Sequence, residues 1–83
     1  MSNYVIKIPH FYSLEYYEGN RKLLVDIDFR EPQIFLSKDM IRNWEYPNEK
    51  EIISDMEKIR IINNIYSYLL KNNSKERIRM EKR

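Results

Sequence analysis

A chain of 83 residues, 42% hydrophobic and 13% aromatic, is enough for one small domain with a single core. It has no cysteine, which excludes a disulfide framework and any metal or nucleophilic site built on thiols. No stretch approaches the ~20 apolar residues of a membrane-spanning helix, and the N-terminal residues do not resemble a signal peptide. We therefore expect a soluble, cytoplasmic protein whose one domain spans residues 1–83.

The formal net charge of +2 conceals an uneven distribution of charged residues. Residues 15–57 contain eleven acidic and six basic side chains, a net charge of −5. Residues 73–83 contain five basic and two acidic side chains, a net charge of +3. The centre of the chain is thus acidic, and its basic character belongs to the C-terminal segment.

The N-terminal half has the pattern of a β-sheet. Residues 4–8 are β-branched and aromatic and are followed by Pro9, which predicts a first strand. Residues 13–18 and 22–29 predict two strands joined by a tight turn. That turn contains Gly19, the only glycine of the chain, and glycine readily adopts a positive φ.

Alternation along these strands separates two faces of the predicted sheet. The apolar face, which we expect to cover the core, holds Leu14, Tyr16, Leu23, Val25, Ile27 and Phe29. The opposite face, which we expect to be open, holds Glu15, Tyr17, Lys22, Leu24, Asp26 and Asp28.

A junction region follows the sheet. Residues 33–36 predict a short strand, and residues 37–42 fit either one or two helical turns capped by Ser37 or more strand. Trp44 carries the largest apolar side chain of any residue type and is the only tryptophan. We expect it to be buried between sheet and helix, with Glu45 beside the start of the helix and Pro47 setting the turn.

The C-terminal half predicts one long helix. Ser54 and Glu57 have the spacing of a capping box, in which the serine accepts from the N3 amide and the glutamate reaches back. Apolar residues then recur at helical spacing: Met56, Ile59, Ile62, Ile65, Tyr66, Leu69 and Leu70. Residues 73–83 are either a basic tail or a last edge strand. The spacing of apolar residues changes from every second residue in the N-terminal half to helical spacing in the C-terminal half. This change predicts an α+β fold, in which a small antiparallel sheet of four to five strands packs on one long C-terminal helix.

The sequence gives no catalytic signature. His10 is the only histidine and lies in a predicted loop without an orienting partner. Asp26 and Asp28, with Glu15 on the adjacent strand, could form the carboxylate set of a metal-dependent phosphodiesterase. A solvated, charged strand face is the favoured interpretation of these residues. We therefore predict no catalytic residue, no metal site and no cofactor.

An acidic, aromatic surface without catalytic groups suits binding to a basic protein partner. We assign partner binding to Glu15, Tyr17, Asp26, Asp28, Phe35, Glu45 and Tyr46. The rival interpretation is a small regulatory protein that binds nucleic acid through Lys75, Arg77, Arg79, Lys82 and Arg83. That segment has no aromatic residue on which bases could stack, so we expect neither a nucleic-acid nor a membrane partner. An exposed edge strand permits either a monomer or a homodimer.

Four features in this order resemble a known family. They are the hairpin of residues 17–25, the pair Phe35-Leu36 with Ile41, the motif Trp44-Glu45-x-Pro47, and the capped helix containing Ser54, Lys58, Ile62 and Ile65. Over residues 12–70 the chain resembles the small immunity proteins of bacterial polymorphic-toxin and contact-dependent growth inhibition systems. The resemblance is to the class with a tryptophan-acid motif before a single long helix.

The resemblance implies an α+β protein that binds and neutralises a cognate toxin domain, often a nuclease, and has no catalytic residues. It places Trp44 and Glu45 at the junction and Ile62 and Ile65 in the core, and it leaves open which face meets the toxin. Together with the turn and cap residues, the side chains expected to hold the fold are Gly19, Trp44, Pro47, Ser54, Glu57, Ile62 and Ile65.

Overall fold

The computed structural model describes residues 3–81. The expectations that involve Met1, Ser2, Lys82 and Arg83 lie outside the described residues. The strands are β1 (Tyr4–His10), β2 (Ser13–Glu18), β3 (Arg21–Asp26), β4 (Ile34–Leu36) and β5 (Ile78–Met80). One α-helix, α1 (Asp55–Leu69), and two short 3-10 turns, Lys38–Met40 and Lys75–Arg77, complete the fold. Within residues 3–81 no helix has the length and apolar character needed to cross a membrane.

The first three strands form an antiparallel sheet in the order β1-β2-β3. The predicted hairpin joins β2 to β3, and Gly19 at its turn has a φ of 63°, which is the conformation that glycine adopts without steric cost. Leu14 pairs with Val25 and Tyr16 with Leu23. All four of these side chains point into the core, so the predicted alternation holds across the hairpin.

Both ends of this sheet differ from the sequence prediction. β1 runs through Pro9 to His10, so His10 is a strand residue rather than a loop residue. A proline is tolerated there because β1 is an edge strand, and its register with β2 shifts between Lys7 and His10. β3 ends at Asp26, because Asp28 accepts hydrogen bonds from the backbone and side chain of Arg30 and the chain turns away.

The prediction of a single antiparallel sheet is wrong. β4 and β5 form a second, two-stranded sheet, and they are parallel. The reason is topological: α1 lies between them in the chain, and a helical crossover returns the second strand in the same direction as the first. Residues 78–80 are therefore an integral strand of the fold, and Ile78 is buried.

Helix α1 begins as the sequence predicts but is shorter. The Ser54 side chain accepts a hydrogen bond from the Glu57 amide and Glu57 reaches back, which forms the capping box. The helix has 15 residues and ends at Leu69, so it is not clearly long. Its buried residues are Ile61, Ile62, Ile65 and Leu69.

The buried stripe of α1 is rotated from the predicted one. Ile61, which is not part of the predicted stripe, is fully buried, whereas Met56 and Ile59 are exposed. Apolar residues at positions 59, 61 and 62 fit two overlapping helical stripes, so periodicity alone did not choose between them. The position of the sheet decides which stripe is covered.

A network of polar side chains connects the three-stranded sheet to α1. Glu18 on β2 accepts hydrogen bonds from both guanidinium nitrogens of Arg60 on α1 and from the Tyr16 hydroxyl, which lies 2.6 Å from Glu18 Oε2. Asn64 donates to the Tyr16 hydroxyl at 2.9 Å. Burial raises the pKa of Tyr16 to about 12, and the hydrogen bond from Arg60 lowers the pKa of Glu18. The network fixes the register of α1 against the hairpin.

Trp44 lies at the junction between these layers. Its side chain is 1% exposed and belongs to the core cluster, and the Arg21 guanidinium lies 5.1 Å from the ring centroid. The Glu45 amide donates to the carbonyl of Lys22 at 2.6 Å. The chain around Trp44 therefore covers part of the free edge of β3.

Candidate protein-binding surface

The residues that the sequence offers for acid–base or metal chemistry are His10, Glu15, Asp26 and Asp28. Among residues 3–81, no group of three or more histidine, cysteine, aspartate or glutamate side chains is placed to hold a metal ion. His10 stacks on Tyr12 with ring centroids 5.4 Å apart. The carboxylate set considered for a phosphodiesterase is not gathered, because Asp28 lies beyond the end of β3 while Glu15 and Asp26 are strand residues.

Two of the predicted partner-binding residues meet on the open face of the three-stranded sheet. The Tyr17 hydroxyl donates to Glu15 at 2.8 Å, and Lys22 Nζ lies 3.5 Å from the other Glu15 oxygen. The ammonium groups of Lys7 and Lys22 lie 5.4 and 5.6 Å from the centroid of the Tyr17 ring. The hydrogen bond from Tyr17 lowers the pKa of Glu15. This cluster therefore carries both signs of charge rather than being acidic. Lys7 comes from β1, so the alternation of residues along β2 and β3 did not predict that it would lie here.

Asp28 and Phe35 lie apart from that cluster. Asp28 forms a two-point contact with the Arg30 guanidinium at 3.1 and 3.2 Å, and this hydrogen bonding lowers the pKa of Asp28. Arg30 in turn lies 4.5 Å from the centroid of the Phe11 ring. Phe35 belongs to the second sheet, where it is exposed beside a depression of about 380 Å³ lined also by Glu31, Pro32 and Gln33.

The C-terminal basic residues are partly structural. Arg77 donates to the Asn73 side chain and to the backbone carbonyl of Phe29, so it ties the end of α1 to the turn after β3. Lys75 and Arg79 are exposed.

The most exposed large apolar side chains of residues 3–81 lie together in one stretch of sequence. Ile52 is 90% exposed, Tyr46 is 86% exposed and Met56 is 79% exposed. They occur in residues 45–57, which we name the acidic segment because it holds five acidic side chains and one basic side chain. Aromatic and methionine side chains are enriched where proteins bind one another.

The backbone of the acidic segment is held in place. Trp44 just before it and Ile53 within it are both buried in the core. Arg21 reaches from β3 to Glu51 at 2.9 Å, and the Glu51 amide donates to the carbonyl of Asn48 at 3.0 Å. The exposed side chains therefore stand on an anchored backbone, which limits the ordering that binding would require.

A groove lies where the open face of β3 meets the chain before the acidic segment. Its volume is about 350 Å³. Its lining consists of Leu24, Asp26, Met40, Arg42, Asn43 and Glu45. The groove brings together Asp26 and Glu45, two predicted partner-binding residues that are 19 positions apart in the sequence.

The partner-binding residues predicted from the sequence include Glu45 and Tyr46 but not the exposed Ile52 and Met56. The prediction that Met56 belongs to the buried stripe is wrong, because Met56 lies in the first turn of α1 and is 79% exposed. A local pattern marks these two residues, since Ile52 follows Glu51 and Met56 lies between Asp55 and Glu57 in a short, strongly acidic stretch.

The chain was compared with known proteins. A family model described as Immunity protein 74 matches residues 13–79, which run from β2 to β5. No curated protein and no solved structure matches the chain. Because the family model covers well over half of the 83 residues, the chain belongs to the Immunity protein 74 family.

Proposed function

We propose that this protein binds a cognate toxin domain one to one and neutralises it by covering its functional surface, with no reaction of its own. The observation that carries the proposal is the exposure of Tyr46, Ile52 and Met56 on the anchored acidic segment. A standard interface buries ~800 Å² on each partner. That is a modest part of the 5963 Å² surface of the domain, so one side of the molecule suffices.

We further propose that the toxin domain is a nuclease, in a polymorphic-toxin or contact-dependent growth inhibition system. A nuclease must hold a polyanionic backbone, so the surface around its active site is rich in lysine and arginine. An acidic partner surface complements such a site in charge, and apolar anchors within it supply the desolvated contacts that make a complex long-lived. We place the protein in the cytoplasm of the cell it protects, where the nucleic acid is.

Co-expression with a candidate toxin domain, taken from a neighbouring reading frame, tests the proposal. The wild-type chain should restore growth and should bind the purified, catalytically inactivated toxin domain one to one by calorimetry. Ile52→Lys and Met56→Lys, made singly and together, should weaken binding and abolish protection, because each removes an exposed apolar contact and adds charge repulsive to a basic partner.

Val5→Lys is the matched control, since Val5 is an exposed apolar residue on the open face of β1, outside the acidic segment. It should protect as well as wild type. If the Ile52 and Met56 variants protect fully and Val5→Lys does not, the toxin meets the sheet face and the assigned surface is wrong. If the wild-type chain neither binds nor protects, the proposed function itself fails.

A further inference from the structure

The groove between β3 and the chain before the acidic segment has the features of a receptor for one long cationic side chain. Its volume of about 350 Å³ is at the lower end of the range for ligand pockets, which is roughly 300–1,000 Å³. Leu24, which is 44% exposed, and Met40 supply apolar lining. Asp26 and Glu45 supply carboxylates to the same space.

The two carboxylates remain available to a ligand. Neither Asp26 nor Glu45 has a side-chain hydrogen bond or an ion pair with another of the residues 3–81. The carboxylates elsewhere on the same face are engaged, as Glu15 is by Tyr17 and Lys22. Arg42 also lines the groove but forms no ion pair with either carboxylate, so the charged lining is two acids against one base.

We propose that this groove receives an arginine side chain of the partner protein. The aliphatic stem of arginine would pack on Leu24 and Met40, and its planar guanidinium would donate to the carboxylates of Asp26 and Glu45. Arginine fits better than lysine because its five donors form a rigid fork that two separate carboxylates can share. The inference rests on the proposed function and deepens it, since it names the partner group that meets Glu45, the first residue of the acidic segment.

A titration monitored by amide chemical shifts tests the groove without the toxin. The probe is N-acetyl-arginine amide, and the control probe is N-acetyl-citrulline amide, which has nearly the same shape and no charge. The arginine probe should cause saturable shifts centred on residues 24–26 and 42–45, and the citrulline probe should not. Equal shifts with both probes, or arginine shifts scattered over the whole surface, would overturn the proposal.

Variants decide which side chains hold the probe. Asp26→Asn with Glu45→Gln should raise the Kd for the arginine probe about tenfold or more, because both charged acceptors are lost. Glu76→Gln, a change of an exposed acidic residue outside both the groove lining and the acidic segment, should leave the Kd within about twofold. Arg42→Gln should lower the Kd, since it removes the competing cation. An unchanged Kd in the double variant, or a raised Kd in Arg42→Gln, contradicts the assignment.

The outcome also separates this inference from the proposed function. If the chain protects against the toxin but does not select arginine over citrulline, only the groove assignment is wrong. If the groove selects arginine but the chain neither binds the toxin domain nor protects against it, the proposed function is wrong while the groove remains a cation receptor.

Discussion

Trp44 is a buried side chain that holds the exposed residues beside it in place and is not itself part of the surface. Its ring is buried in the core, and the residues next to it stay exposed. Arg21 connects these two roles, since its guanidinium lies over the Trp44 ring and also pairs with Glu51 of the acidic segment. The packing of Trp44 therefore sets where the exposed side chains of that segment stand.

Replacing Trp44 by alanine should lower the free energy of unfolding by ~3–5 kcal/mol, the cost of truncating a buried aromatic residue. Urea denaturation followed by circular dichroism measures this change. Tyr46→Ala is the control: Tyr46 is 86% exposed, so its replacement should change stability by less than about 0.5 kcal/mol. A Trp44→Ala protein that is as stable as wild type but no longer binds the toxin would assign Trp44 to the interface.

The pair of Glu18 and Arg60 predicts a stability that depends on acidic pH. Arg60 lowers the pKa of Glu18 in the folded state below its ordinary value of 4.5. The folded state therefore favours the carboxylate, and this contribution is fully present above about pH 4.5 and is lost as the pH falls through the lowered folded pKa.

Glu18→Gln should lower the free energy of unfolding at pH 7 by about 1–2 kcal/mol, and this difference from wild type should shrink as the pH falls below 4.5. The figure is kept modest because the Arg60 side chain is 38% exposed and water screens the pair. Denaturation curves from pH 3 to pH 7 measure the effect. Parallel losses of stability in the two proteins on acidification would show that other carboxylates control the acid transition.

Residue patterns in the sequence identified the core of the hairpin because a strand has only two faces and one was apolar throughout. They did not identify Ile52 and Met56 as surface residues. The sequence around an isoleucine and a methionine near a helix start looks the same whether these side chains face a core or a partner. Whether they are buried depends on which side of the segment the sheet covers. That depends on contacts between residues far apart in the sequence.

Elements with local causes were the ones that the sequence predicted well. The hairpin at Gly19 and the start of α1 at Ser54 both depend on residues within a few positions of each other. The pairing of β4 with β5 joins residues more than 40 positions apart, such as Ile34 with Ile78. Neither three-residue strand contains a signal for its partner, so the parallel second sheet was not predictable from the pattern.

The contribution of the capping box to the stability of α1 can be measured. Ser54→Ala should lower the free energy of unfolding by about 1 kcal/mol, because the Glu57 amide loses its acceptor at the start of α1. Ser67→Ala, a change of an exposed serine inside the same helix, should have a smaller effect or a slightly stabilising one. Thermal unfolding of both variants measures the difference. If the two variants shift the Tm equally, the cap does not hold the helix start.

Acidic and basic side chains are concentrated in different parts of the sequence. The acidic segment has five acids and one base. The exposed bases Lys75 and Arg79 are far along the chain, beyond α1. A partner therefore meets a surface that carries both signs of charge rather than a uniformly basic one, in spite of the formal net charge of +2. Charge of this kind affects the rate and orientation of encounter more than the strength of the final complex.

The association rate with the toxin domain should therefore depend on salt. The Debye length, over which exposed charges act, falls from ~30 Å at 0.01 M to ~8 Å at 0.15 M ionic strength. Raising the salt concentration over this range should slow association several-fold and leave the dissociation rate nearly unchanged. Glu49→Gln with Asp55→Asn, which removes two exposed charges of the acidic segment, should lower the association rate and flatten its salt dependence. Neutralising Lys75 and Arg79 with glutamine should instead raise the rate towards a basic partner. Stopped-flow fluorescence measures all three proteins, and an association rate that is independent of salt would mean that the partner surface is not basic.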